Sequence, residues 1–433
     1  MYTLFVFIIC IGILIFVHEL GHFIAARIRG IRVLKFSLGF GPKIIGKKIG
    51  DTEYLISALP LGGYVKMAGE NMTDVSTNAP DEFSSKSVSD RATVVLAGPL
   101  MNIIVSFLLM PLVFFIGINM PAFLEEPPIV GWVEDGSPAS NAGVMVGDRI
   151  IKMDNKHVSD WEDVVTVIST KPELGIKIEI ESGNEIKEVL LARGEETQVG
   201  GGGYAGILPD LPPVIGKINK GYPAEKAGFR EGDRIVSLDG NPVISWYQVS
   251  SYIRSHVDKD IVITVKRDNE EVTAAVKPMK DQAAGYGVIG IINQQKTLVK
   301  KFGVIESITH GLGRMYELTK LTFDVLKRLF SLKLSIETLG GPIMIAKLTG
   351  EAAQSGISDL IAFMAFMSLQ LGILNLLPMP VLDGGWIVFL IIEKIKGSPL
   401  NKKTMEVAQT VGFALLITLI IIVSYNDILR VFR

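Results

Sequence analysis

Cysteine is almost missing from this chain: Cys10 is the only one in 433 residues. That excludes an intrachain disulfide and any cysteine-ligated zinc site. Net charge is nearly missing as well, at −2, so there is no electrostatic pointer to nucleic acid. The glycine run Gly200–Gly203 lacks the Lys-Ser/Thr that a phosphate loop requires, and it reads as a flexible turn. The most informative absence is of charge within long stretches. Met1 to Ala26 holds no Lys or Arg, and its ionisable side chains besides Tyr2 and Cys10 are His18, Glu19 and His22. Ala92 to Leu124 and Val407 to Asn426 carry no charge, and Leu360 to Ile392 carries only Asp383.

What is present follows from those gaps. Hydrophobic residues make up 48% of the chain and mean hydropathy is +0.38, despite 20% charged residues. Long apolar spans beside ordinary polar domains produce that mixture. A membrane helix needs about 20 apolar residues, so four spans are expected, over 1–26, 92–122, 360–392 and 406–427. The first lacks the basic start and cleavage site of a signal peptide. Basic clusters follow span one (Arg27, Arg29, Arg32, Lys35, Lys43, Lys47, Lys48) and span three (Lys394, Lys396, Lys402, Lys403). Both should face the cytoplasm, which puts the N-terminus and the region between spans two and three outside. Arg430 and Arg433 would then also lie outside, against the rule.

That outer region contains a repeat. SPASNAGVMVGDRIIKMDN from Ser137 aligns with YPAEKAGFREGDRIVSLDG from Tyr222, and Trp161 aligns with Trp246 at the same offset of 85 residues. Each copy reads as a short helix ended by Gly143 or Gly228, then an apolar strand, a helix after the tryptophan, and alternating strands. The copies resemble tandem PDZ domains over 125–208 and 209–293. On that resemblance a carboxylate-binding loop precedes Ala205–Leu208 and Ile289–Ile292, and the copies bind chain ends or gate substrates; the alternative is that they are spacers.

His18-Glu19-Leu20-Gly21-His22 is an HExxH motif. Positions i and i+4 share one helix face, so both imidazoles can reach one metal, with Glu19 beside them to take a proton from water. Ionisable groups inside a span are costly and usually functional, and three within five residues call for a compensating cation. Catalytic zinc takes three protein ligands and leaves a position open. The charged candidate in another span is Asp383, in Asn375-Leu376-Leu377-Pro378-Met379-Pro380-Val381-Leu382-Asp383-Gly384-Gly385. Its prolines break the helix and its glycines permit close approach. A helix-capping Asp is the plainer reading. Depth favours the ligand: His18 lies about 25 Å along an inward-running span, and Asp383 lies in the inner part of another.

HExxH in the first span together with NxxPxPxLDG in a later one resembles the site-2 protease family of intramembrane zinc metalloproteases. The two outer repeats make the chain similar to its bacterial sigma-E-regulator branch. The resemblance covers nearly the whole chain, with both motifs intact. It implies a polytopic α-helical membrane protein of four transmembrane helices, a membrane-associated β element and two exported α+β PDZ domains. It implies Zn2+ held by His18, His22 and Asp383, Glu19 as general base, and Asn375 positioning the substrate backbone. An oxyanion donor or a helix-stabilising hydrogen bond are both open to an amide there. Asn102 also matches a family position and is read as structural. Residues 27–90 become a cytoplasmic-side β-rich and re-entrant region, in which Gly62, Gly63, Tyr64 and Val65 contact substrate or merely form a hairpin. Residues 300–355 hold an amphipathic helix on the outer membrane surface, or one packed on the second repeat, and a linker. The implied partners are the lipid bilayer and single-pass membrane proteins already trimmed outside, of anti-sigma-factor and remnant-signal-peptide type, with no nucleic acid. The implied location is the bacterial inner membrane, with N-terminus and PDZ domains periplasmic and the active site toward the cytoplasm. A PDZ-bearing scaffold with a structural metal and a metal transporter are the rival readings; neither needs Glu19.

Overall fold

A computed structural model describes residues 2–70, 79–170, 175–183, 185–191, 205–281, 285–331 and 340–432. The chain divides into two compact units, residues 1–118 with 300–433, and residues 119–299.

The first unit opens with helix α1 (Tyr2–Ile28). Strands β1 (Val33–Ile49) and β2 (Thr52–Met67) follow as a bent, bulged hairpin. Its register sets residues 35–38 between two parts of β2, 53–56 and 63–66, so Gly63–Met67 forms an edge of this small sheet. Helix α2 (Val88–Ile116) starts at Ser87, whose hydroxyl accepts the Asp90 N–H at 3.1 Å. Its last turn meets Gly117, at φ 120°, which turns the chain into the short strand Ile118–Pro121. The span expected to reach residue 122 therefore stops at Ile116. α1 and α2 approach closely at Gly21, where a Cβ would stand 2.3 Å from the Ala97 carbonyl oxygen. Ala26, Ile31, Val33, Met67, Val94 and Leu390 form a buried cluster that anchors the base of the hairpin.

The second unit contains the two sequence repeats, and their elements coincide at the same offset. Helices α3 (Pro138–Asn141) and α4 (Trp161–Thr170) of the first correspond to α5 (Pro223–Lys226) and α6 (Trp246–Ser255) of the second. Strands Arg149–Met153, Ile176–Ser182 and Glu185–Leu191 correspond to Arg234–Leu238, Ile261–Arg267 and Glu270–Val276, in sheets of the same order. Each repeat has its own core, around Ile150, Met153 and Ile178 in one and Ile235, Leu238 and Ile263 in the other. Gly200–Gly203 and the loop expected just before Ala205 lie outside the described residues.

The chain returns to the first unit as α7 (Val304–Phe330), α8 (Pro342–Ser355), α9 (Ile357–Asn375), α10 (Asp383–Lys396) and α11 (Lys402–Phe432). The stretch 300–355, expected as one helix and a linker, thus carries two helices. The single span expected over 360–392 is in fact divided. Helix α9 ends at Asn375 ahead of Pro378 and Pro380, and α10 begins at Asp383. Gly384 and Gly385 let the chain fold back on itself: a Cβ on either would stand 2.2 Å from the carbonyl oxygen of Leu377 or Met379. Four described helices are long and apolar enough to cross a membrane, Tyr2–Ile28, Val88–Ile116, Ile357–Asn375 and Lys403–Leu429.

Candidate metal centre and active site

Helix α1 delivers His18 and His22 one turn apart, with their Nε2 atoms 3.1 Å from each other. Each residue is only 8% exposed. The broken segment after α9 delivers Asp383, whose Oδ2 lies 3.1 Å from His18 Nε2 and whose Oδ1 lies 3.6 Å from His22 Nε2. One donor atom from each of the three falls within 4.8 Å of the others. Room for them comes from α2. A Cβ on Gly98 would stand 2.3 Å from His22 Nε2 and 2.8 Å from His18 Nε2.

The donor set passes a test of fit for zinc. Asp383 Oδ2 is buried and, although close to His18, is not aligned to accept a hydrogen bond from any described group. His22 Nδ1 lies 2.8 Å from the Val94 carbonyl oxygen, which holds the ring proton on Nδ1 and leaves Nε2 as a lone pair. The Nε2 atoms of two imidazoles and the oxygens of one carboxylate thus converge on a common point. Such a set suits zinc and leaves a fourth position for water.

Glu19 sits beside this centre. Its Oε2 accepts the Val65 N–H at 3.0 Å, so the edge of β2 runs directly past the glutamate. A cavity of about 360 Å3 is lined by His18, Glu19, His22, Asn375 and Asp383 together with Gly63, Tyr64 and Val65. Of the sequence-predicted residues, only Gly62 is absent from that lining; at φ +105° it sits against Ile15 and Phe40. Asn375, the last residue of α9, places its Nδ2 3.5 Å from His18 Nδ1.

Sequence reasoning missed several neighbours. Phe40 stacks on Tyr64 at 6.0 Å between centroids, and Trp386 also lines the cavity. Glu70 lines it too, with its Oε2 accepting the Met67 N–H at 2.9 Å. Burial pushes the Glu70 carboxyl above the usual carboxylate range, against the pull of that bond. No spacing flagged Glu70, because it follows the strand rather than belonging to a motif.

The chain matches the model of peptidase family M50 over residues 6–419. It is 32% identical to the regulator of sigma-E protease RseP of Escherichia coli K12, with 98% of each chain covered. Identity is 34% to the regulator of sigma E protease of Haemophilus influenzae, again over 98% of each. A Neisseria meningitidis serogroup A protein whose name proposes a zinc metalloprotease is 34% identical over 99% of both chains. Among solved structures, the PDZ domain of an SdrC-like protein from Listeria monocytogenes covers 20% of this chain and 90% of its own, at 25% identity and a TM-score of 0.18. With a family match that reaches from the first long apolar helix into the fourth and motifs converging on one centre, this chain belongs to peptidase family M50 and is a zinc metalloprotease.

Proposed function

We propose that this protein hydrolyses peptide bonds within the transmembrane segments of single-pass membrane proteins, after a first cut has trimmed them outside. The convergence of His18, His22 and Asp383 beside Glu19, on helices apolar enough to cross a bilayer, is the observation that carries the reading. In it, His18, His22 and Asp383 hold zinc, which when bound supplies Lewis acidity toward water and carbonyl oxygen. Glu19 accepts a proton from the attacking water as its oxygen bonds to the scissile carbonyl carbon. The C–N bond then breaks, and Glu19 delivers that proton to the leaving nitrogen. Asn375 donates to the substrate carbonyl from the cavity wall.

A helical substrate hides its peptide bonds and must be drawn out before cleavage. The sheet edge at Gly63–Val65, whose Val65 N–H donates to Glu19, is suited to pairing with such an extended chain next to the base. Anti-sigma factors and remnant signal peptides are the substrate types of this reading. The two repeats act as PDZ domains that exclude substrates with bulky outer parts. A groove of about 520 Å3 in the second repeat supports a peptide-binding role; it lies between α6 and Ile289–Asn293 and holds Arg254. The protein sits in a bacterial inner membrane, with the N-terminus and repeats periplasmic and the active site toward the cytoplasm.

The test is cleavage of a tagged single-span substrate by purified protein, wild type beside Glu19→Gln, with bound zinc quantified in both. Wild type should cut, and the variant should retain zinc while losing cleavage by at least about 100-fold. Zinc-loaded wild type that cuts no trimmed substrate would sink the proposal.

A further inference from the structure

We propose that Asn102 is the positioning residue for His18: its side-chain oxygen accepts the Nδ1 proton and so fixes the tautomer that presents Nε2 to the metal. The assignment rests on the metal-centre reading and adds a residue to it.

A histidine that binds a metal through Nε2 carries its proton on Nδ1 and needs an acceptor there. His22 has one in the Val94 carbonyl oxygen. His18 Nδ1 instead lies 3.5 Å from Asn102 Nδ2 and 3.5 Å from Asn375 Nδ2. Donor nitrogens facing a protonated nitrogen leave all of them unsatisfied. Asn102 is fully buried, and its Oδ1 has no hydrogen-bond partner among the described residues. Buried amide oxygens are rarely left so. A half turn of the Asn102 amide gives His18 Nδ1 an acceptor and Oδ1 a partner, since the two ends of an amide exchange places, with Nδ2 taking the position that Oδ1 held.

Two further observations choose Asn102 over Asn375. The Asn102 backbone is pinned, because Ser368 Oγ donates to its carbonyl oxygen at 2.8 Å from α9. Asn375 lines the cavity and is only half-buried, so its amide remains available to a substrate. Gly98 and Asn102 are one turn apart on α2, so one helix face both makes room for the imidazoles and orients one of them.

The test is zinc affinity of the full-length protein in detergent, by competition with a chelator, for wild type, Asn102→Asp, Asn102→Leu and Asn375→Leu. Leucine keeps the volume of asparagine but not the acceptor; aspartate keeps both. Asn102→Leu is expected to bind zinc about 10–100-fold more weakly, with Asn102→Asp and Asn375→Leu within about threefold of wild type. Wild-type affinity in Asn102→Leu would show that packing alone matters there and overturn the assignment. Asn102→Asp weakened about 10-fold or more relative to wild type would overturn it too, and that comparison needs no folded leucine variant. Loss of zinc in Asn375→Leu alone would move the acceptor to Asn375. A wild type that binds no zinc would remove the metal centre, and this assignment with it, which sets the two failures apart.

Discussion

Gly98 shows how little space the site leaves. Its missing side chain is where the two Nε2 atoms sit, so Gly98→Ala must push the imidazoles away from Asp383. The expected outcome is loss of bound zinc and a fall in cleavage of more than about 100-fold, read by metal analysis beside a cleavage assay. Val65 makes a different demand at the same scale. Its N–H holds Glu19, and Val65→Pro removes that donor without touching a zinc ligand. Zinc content should persist while kcat falls. The two histidines were legible from spacing, because i and i+4 on a helix share a face whatever surrounds it, and Asp383 was legible as the one charged residue of another apolar stretch. Gly98 was not, since a glycine on one helix acquires meaning only when a second helix crosses it.

The apolar face of helix α7 was expected on the outer membrane surface or against the second repeat, and Ile305 is 79% exposed and Leu321 57% exposed. The buried face holds Ser307, Gly311, Met315 and Thr322 instead. Gly311 meets Pro111 of α2, where a Cβ would stand 2.5 Å from the proline nitrogen, and Gln370 of α9 donates to Thr322 Oγ1 at 2.7 Å. Small and polar residues turn inward because apolar side chains lose nothing by facing lipid. Helix α11 is fastened by one acid: Asp427 accepts the Gly341 and Met344 N–H groups at 3.0 and 2.9 Å, capping α8 from another helix. Asp427→Ala should cost about 1–2 kcal/mol, visible as a lower thermal midpoint in detergent.

The repeats differ in one buried pair. Asp233 is held by Arg267 at 2.7 Å, where the first repeat has Asp148 and Ser182 at the same offset. Burial works to raise the Asp233 carboxyl, but the bonds from Arg267 and the Arg230 N–H outweigh it and hold it below the usual range. A depressed value means that the stabilisation is complete above the ordinary carboxylate value near ~3.9 and is lost as pH falls through the folded one. Hydrogen exchange in strand Ile261–Arg267 of the full chain should therefore accelerate more steeply below about pH 4 than in strand Ile176–Ser182. Arg267→Ala should weaken that strand's protection at neutral pH.

At the scale of the molecule, four spans and one repeat were readable because each needs only a long-range count: uninterrupted apolar length, or a fixed offset. The division of the third span needed local chemistry as well, and Pro378 and Pro380 supplied the hint without the end points. The insertion of residues 119–299 into the first unit leaves its flanks adjacent, since the Phe302 N–H reaches the Phe114 carbonyl oxygen at 3.2 Å. A short Gly/Ser linker in place of 119–299 should therefore preserve zinc binding. On the size-filter reading, that shortened protein should also cut substrates whose outer domains have not been trimmed. Equal rejection of untrimmed substrates by both forms would remove the filter.

The constant offset between the repeats has a genetic consequence. Ser137 and Tyr222 precede equivalent helices, so a recombination that deletes residues 138–222 joins Ser137 to Pro223 in register. Strand Trp132–Val133 then stands where the second copy has Ile215–Ile218, opposite Ile291–Asn293. One crossover thus converts a two-repeat protease into a one-repeat protease with every element complete, and the reverse exchange adds a third, while the hydrolytic half is left untouched.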